Sequence, residues 1–129
     1  MSKYHNKKTV VDGITFDSLK ESRYYLFLKD KVKSGEIADL QMQVPFEVIP
    51  AVYGEKTVIK HLKKGDKVIT KRCVIQKATH YLADFVYTVV ATGQKEVVDV
   101  KSEATKKKES YRLKKKMMLA FLGISIIEV

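Results

Sequence analysis

The chain has 129 residues, 45% of them hydrophobic, the profile of one folded domain rather than a disordered segment, and it has no apolar run near the roughly 20 residues that cross a bilayer. Its net charge of +10 points to a polyanionic partner, with nucleic acid ahead of an anionic membrane because no strongly amphipathic helix carries a bulky aromatic face. Cys73 is the only cysteine, which excludes an internal disulfide and a thiolate metal cluster.

Residues 1–15 read as a basic arm with a turn at Asp12-Gly13. The arm leads into no apolar signal core, so a cytoplasmic protein is expected. Residues 16–30 read as a helix capped by Asp17 or Ser18 and stopped by Gly35, with Glu21 at the capping-box spacing from Ser18. From 36 to 50, Leu40, Met42, Val44, Phe46 and Val48 alternate with polar residues, which predicts a strand with one buried face. Pro45 places it at an edge or a bulge. Residues 51–66 are expected to form a basic loop or short hairpin arm, and a further strand is expected at 68–75.

Two apolar strands follow, separated by a turn at 91–94, and each carries an acid: Asp84 in the first and Asp99 in the second. They should pair as a hairpin. After Lys101 a helix is predicted over 104–122, with Leu113, Met117, Ala120 and Phe121 as its core stripe. Gly123 stops it, and a strand at 124–129 closes the order. A strand-helix-strand unit at the end implies a right-handed crossover and a mixed sheet, hence an α/β fold.

The acids are the informative anomaly. An unpaired buried carboxylate is costly, so such groups pair, hold metal or do chemistry. Asp99 and Lys101 are two apart on one strand and share a face, and a hairpin brings Asp84 near Asp99. Two hard carboxylates at one point suit Mg²⁺ or Mn²⁺, and the backbone carbonyl of Val100 is a further candidate ligand. A lysine beside them can serve the attacking water or the charge on phosphorus. A structural Asp99–Lys101 ion pair is the plain alternative.

Ala83-Asp84 and Asp99-Val100-Lys101, in this order of elements, resemble the PD-(D/E)XK nuclease superfamily. The departure of Ala83 from proline is mild. The resemblance implies a restriction-endonuclease-like α-β-β-β-α-β core, catalytic Asp84, Asp99 and Lys101, and a helix acid at Glu21 that binds metal through water. Helix capping explains Glu21 equally well. More narrowly, Lys3-Tyr4-His5-Asn6-Lys7-Lys8-Thr9, Phe16-Asp17-Ser18-x-x-Glu21 and Leu40-x-x-Gln43-Val44-x-Phe46 resemble a family of small phage and prophage proteins, over nearly the whole chain.

Gln43, His5 and His80 are auxiliary candidates, each with an ordinary surface or strand role as the competing account. Lys3, Lys7, Lys8, Lys63, Lys64, Lys106, Lys107, Lys108 and Arg112 are candidate nucleic-acid contacts, joined by Lys56, Lys60 and Lys67 in the arm. The expected function is a metal-dependent DNA endonuclease of phage origin, selective for branched or Holliday-junction DNA, and the resemblance to resolvases that act as dimers makes a homodimer a candidate. The alternative is a non-catalytic nucleic-acid-binding accessory protein.

Overall fold

The computed structural model describes residues 8–129. Lys3, His5 and Lys7 lie outside the described residues.

The first elements are two short strands, β1 (Thr9–Val11) and β2 (Ile14–Phe16), paired antiparallel. Asp12 (φ 52°) and Gly13 (φ 75°) turn the chain between them, the left-handed pair that a two-residue hairpin needs. The expected turn at Asp12-Gly13 is present, and residues 9–16 around it, expected in part as a basic arm, form a hairpin that delivers Phe16 to the core. Tyr25 Oη donates to Asp12 Oδ2 at 3.1 Å and fastens the turn.

Helix α1 (Leu19–Ser34) starts where its cap predicts. Ser18 Oγ accepts from the Glu21 N–H at 3.1 Å, and Gly35 (φ 80°) closes the last turn through Lys31 and Val32 carbonyls. Glu21, Ser22, Tyr25 and Leu28 form its buried face. Strand β3 (Ile37–Ile49) follows. The sheet continues with β6 (Thr79–Val89), β7 (Lys95–Asp99) and β8 (Ile126–Glu128), in the order β3-β6-β7-β8. Pro45 thus sits on an edge strand, where its missing N–H costs no ladder bond. Strands β6 and β7 pair antiparallel, with Phe85 opposite Val98, and β7 and β8 pair parallel, so the sheet is mixed and the fold α/β. Phe16, Tyr25, Leu28, Ile37, Phe85, Tyr87, Val98 and Val100 make the core between α1 and this sheet.

The strand expected at 68–75 does not join the sheet. It is part of β5 (Gly65–Gln76), which pairs with β4 (Val52–Leu62) in a separate two-stranded sheet. By compactness the chain has two units: residues 1–46 with 81–129, and the insert Glu47–His80, which is this hairpin. Local alternation of apolar residues states that a segment is a strand but not which strand it meets.

The helix expected over 104–122 is two pieces, α2 (Glu103–Lys106), capped by Ser102, and α3 (Glu109–Leu122). The break falls at Lys107-Lys108. The expected core stripe is also displaced. Met118 is the buried residue of α3, while Leu113 and Phe121 are exposed. Two apolar sets coexist on this helix, and the sheet takes the one that sets Met118 inward. Among the described residues no helix is long and apolar enough to cross a membrane.

Candidate active site

The hairpin of β6 and β7 ends its regular pairing at Phe85 and Val98. One step further, side chains take over the backbone donors. Asp99 Oδ1 accepts from the Asp84 N–H at 2.9 Å, and Asp84 Oδ2 accepts from the Val100 N–H at 2.9 Å. The two aspartates thereby lock one another's strands, as their facing positions imply. Lys101 Nζ donates to Asp84 Oδ2 at 3.2 Å and to Oδ1 at 3.4 Å. The ion pair is thus Lys101–Asp84, across the strands, rather than Asp99–Lys101 along one.

Glu21 reaches the same point from the first turn of α1. Its N–H makes the capping contact to Ser18, while its carboxylate Oε1 accepts from Gln43 Nε2 at 3.0 Å. The same Gln43 amide donates to Asp84 Oδ1 at 3.3 Å. Capping and site membership are therefore compatible, because they use different atoms of one residue. Gln43 has φ 52°, in the left-handed region that a side chain rarely adopts. Plain alternation would have left Gln43 as an outward amide, and here the departure from strand geometry accompanies an amide that joins two carboxylates. Irregularities of this kind recur where a strand must re-aim a side chain.

Glu21, Asp84 and Asp99 are 5%, 4% and 0% exposed. Three buried acids, with Lys101 as the one close cation among the described residues, leave a local excess of negative charge, and the proton affinities respond. The Glu21 carboxyl is pushed up to about 7, by burial first and then by the Asp84 and Asp17 carboxylates, against the opposing pull of Lys101 and the Gln43 hydrogen bond. Burial also raises Asp99, against its bond from the Asp84 N–H and the charge of Lys101. Asp99 Oδ2 is buried with no hydrogen-bond partner among the described residues.

The carboxylates do not all open into one space. Ser18, Lys20, Glu21, Asp84, Lys101 and Thr105 line a cleft of about 360 Å³. Asp99 lines a neighbouring cleft of about 270 Å³, with Tyr111, Lys108 and Lys114. Lys101 and Thr105 border both. Among the described residues no three His, Cys, Asp or Glu side chains converge as a ready-made ligand set. Glu21 and Asp84 are the oxygens that could hold a cation in the first cleft, where Val100 is also a lining residue.

Lys20 was not singled out by sequence reasoning. Its Nζ donates to the carbonyls of Lys101 at 3.2 Å and Val129 at 2.8 Å, fixing the backbone that carries the site lysine. Nothing local in the sequence marks it, since both partners are far along the chain. Lys106 pairs with Glu103 at 3.2 Å and Arg112 is exposed on α3, while Lys107 and Lys108 are exposed at the helix break. The helix that starts beside Lys101 is only the four-residue α2. His80 is exposed and belongs to the insert, with Lys63 and Lys64 at the tip of that insert's hairpin. Lys8 is exposed before β1.

Residues 1–124 match the model of a family described as a protein of unknown function, DUF1064. The chain belongs to this family. The match spans every residue of the cluster and the whole insert. Comparisons with curated proteins and with solved structures give no match.

Proposed function

We propose that this protein is a Mg²⁺- or Mn²⁺-dependent DNA endonuclease of the PD-(D/E)XK superfamily, with α1, β3, β6, β7, α3 and β8 as its restriction-endonuclease-like core. The observation that carries the reading is the cluster itself: Asp84 and Asp99 interlocked at the fork of β6 and β7, Lys101 on Asp84, and Glu21 joined to Asp84 through Gln43. The order of the six elements and the sheet order agree with it.

The residues fit a hard divalent cation. The donors are carboxylate oxygens, their excess negative charge is of the size such an ion cancels, and Asp99 Oδ2 is an orphaned buried acceptor. When bound, the ion supplies Lewis acidity for water activation and for polarising a phosphate oxygen. Asp84 and Asp99, the latter through its unpartnered Oδ2, would hold it, with Glu21 and the Val100 carbonyl as further ligands. Gln43 keeps the two carboxylates in register. Asp99 fixes the Asp84 backbone through its N–H. Lys101 Nζ, on the ridge between the two clefts, donates to the charge that develops on the phosphate as the P–O bond breaks.

The substrate proposed is branched DNA, including four-way junctions, in phage recombination or replication within the host cytoplasm. A small basic surface favours backbone contact over base reading. A homodimer is part of the proposal, and the exposed Leu113 and Phe121 of α3 offer it an apolar face. The second reading is a non-catalytic nucleic-acid-binding accessory protein, which the engagement of Lys101 by Asp84 favours because it makes a self-contained ion pair.

Incubation with linear, flapped and four-way DNA in Mg²⁺ or Mn²⁺, read on denaturing gels, tests the proposal. Cleavage is expected from the wild type, with a fall of at least about 10²-fold in Asp99→Asn and unchanged DNA affinity in EDTA. Equal cleavage by pure, folded Asp99→Asn protein overturns the site. No metal-induced stabilisation and no cleavage of any DNA form leaves the accessory reading.

A further inference from the structure

The hairpin of β4 and β5 segregates its charges by face. In its register Lys56 lies directly opposite Lys71, and Lys60 directly opposite Lys67. Cross-strand partners share a face, as do residues two and four apart along a strand. All four lysines therefore project from one side of the ribbon, with the Val58–Ile69 pair between them. All four are exposed. The acids of the strands go to the other side, where they are answered locally: Glu55 lies opposite Arg72, and Asp66 pairs with His61 at 2.8 Å.

Like charges placed directly opposite destabilise a ladder. Two such pairs in one short ribbon, with no acid on their face, oppose the hairpin's own stability. A polyanion laid on that face removes the repulsion. The two lysine pairs stand four residues apart, about 13 Å along the strands, which is close to the roughly 12 Å width of the DNA major groove, a space that accepts a two-stranded ribbon. Val58 and Ile69 are half-buried between the lysine stems. They give the centre of the face an apolar strip rather than a charge.

We infer that the Lys56/Lys60/Lys67/Lys71 face of the β4–β5 hairpin is a phosphate-backbone clamp for duplex DNA. The inference rests on DNA as the partner, as proposed above, but not on catalysis. A lipid surface is disfavoured because the bulk of the face is lysine with only a narrow apolar strip.

The test is the full-length quadruple variant Lys56→Gln, Lys60→Gln, Lys67→Gln, Lys71→Gln, titrated with duplex DNA in EDTA over a range of salt. Affinity near 100 mM salt is expected to fall by about tenfold or more, and the slope of log K against log salt by about 3.6, or about 0.9 per lost contact. The melting temperature is expected to hold or rise, since two repulsive pairs are gone. The quadruple Lys→Arg variant should bind like the wild type. An unchanged slope overturns the inference. An equal loss from removing four lysines elsewhere (Lys29, Lys31, Lys33 and Lys95, all changed to glutamine) also overturns it, because net charge then explains the effect. Loss of binding to phosphatidylserine vesicles with DNA binding intact overturns it in favour of lipid. If the glutamine variant loses DNA while the wild type cuts nothing, the clamp stands and the nuclease reading falls. If it binds normally and still cuts, the reverse holds.

Discussion

The two units of this chain treat charge in opposite ways. The helix-and-sheet unit gathers three acids where water is nearly absent, and the inserted hairpin lines up four lysines where water is abundant. Each arrangement opposes the stability of the isolated protein, the first through desolvation and the second through repulsion. The acids are tolerated because backbone N–H groups, Gln43 and Lys101 answer most of their oxygens. The lysines are tolerated because solvent and salt screen them. Placement against electrostatic cost, with opposite sign in the two units, is a stronger pointer to function than the net charge.

The contrast can be broken most severely at Lys101. Lys101→Met removes the cation from Asp84 and from the ridge between the clefts. Cleavage is expected to fall by about 10²–10³-fold, with a loss of thermal stability from leaving Asp84 buried and unpaired. Loss of activity with undiminished stability would mean that the ion pair matters only to chemistry. The same change at a hairpin lysine should affect neither stability nor turnover in saturating DNA.

A subtler effect comes from Glu21, through pH. Its folded-state pKa of about 7 stands above the ordinary 4.5. Between those values the folded protein holds a proton that the unfolded chain has released, so stability falls as pH rises through this window. Glu21→Gln should flatten that fall. Relative to wild type it should be neutral at pH 4 and more stable at pH 8, by about 1–3 kcal/mol, measured by urea unfolding at both values. Mg²⁺ should raise the wild-type melting temperature at pH 8 and close much of the gap to the variant. Parallel pH profiles for the two proteins would remove Glu21 from the cluster.

The smallest expected effect separates cap from site. Ser18→Ala removes the oxygen that accepts the Glu21 N–H and should cost about 1 kcal/mol, with cleavage nearly intact. A fall in cleavage comparable to that of Lys101→Met would show that the cap, rather than Gln43, holds Glu21 in place.

What the sequence made legible was local and strongly signalled. Ser18 and Gly35 bracket α1 because caps act within a few residues. The hairpin of β6 and β7 followed from two apolar runs around a turn, and with it the meeting of Asp84 and Asp99. Lys101 was legible as a partner, though its ion pair formed across the strands rather than along one. The rest depended on tertiary choices. Gln43 joins the cluster with a left-handed backbone that alternation does not encode. The run at 68–75 has the pattern of a core strand but finds its partner in β4. On α3 two apolar stripes compete, and only docking onto the sheet selects the one with Met118.

The bonds from Lys20 have a consequence for the order of assembly. One side chain on the first helix holds carbonyls that follow it by 81 and 109 positions. Contacts of such sequence separation form late, since the loop they close must first be ordered. The Val129 carbonyl, just past β8, is therefore clasped only once that strand has docked beside β7. A chain whose β8 has not yet docked would carry all three acids and yet lack the Lys20 clasp on the backbone that follows this strand.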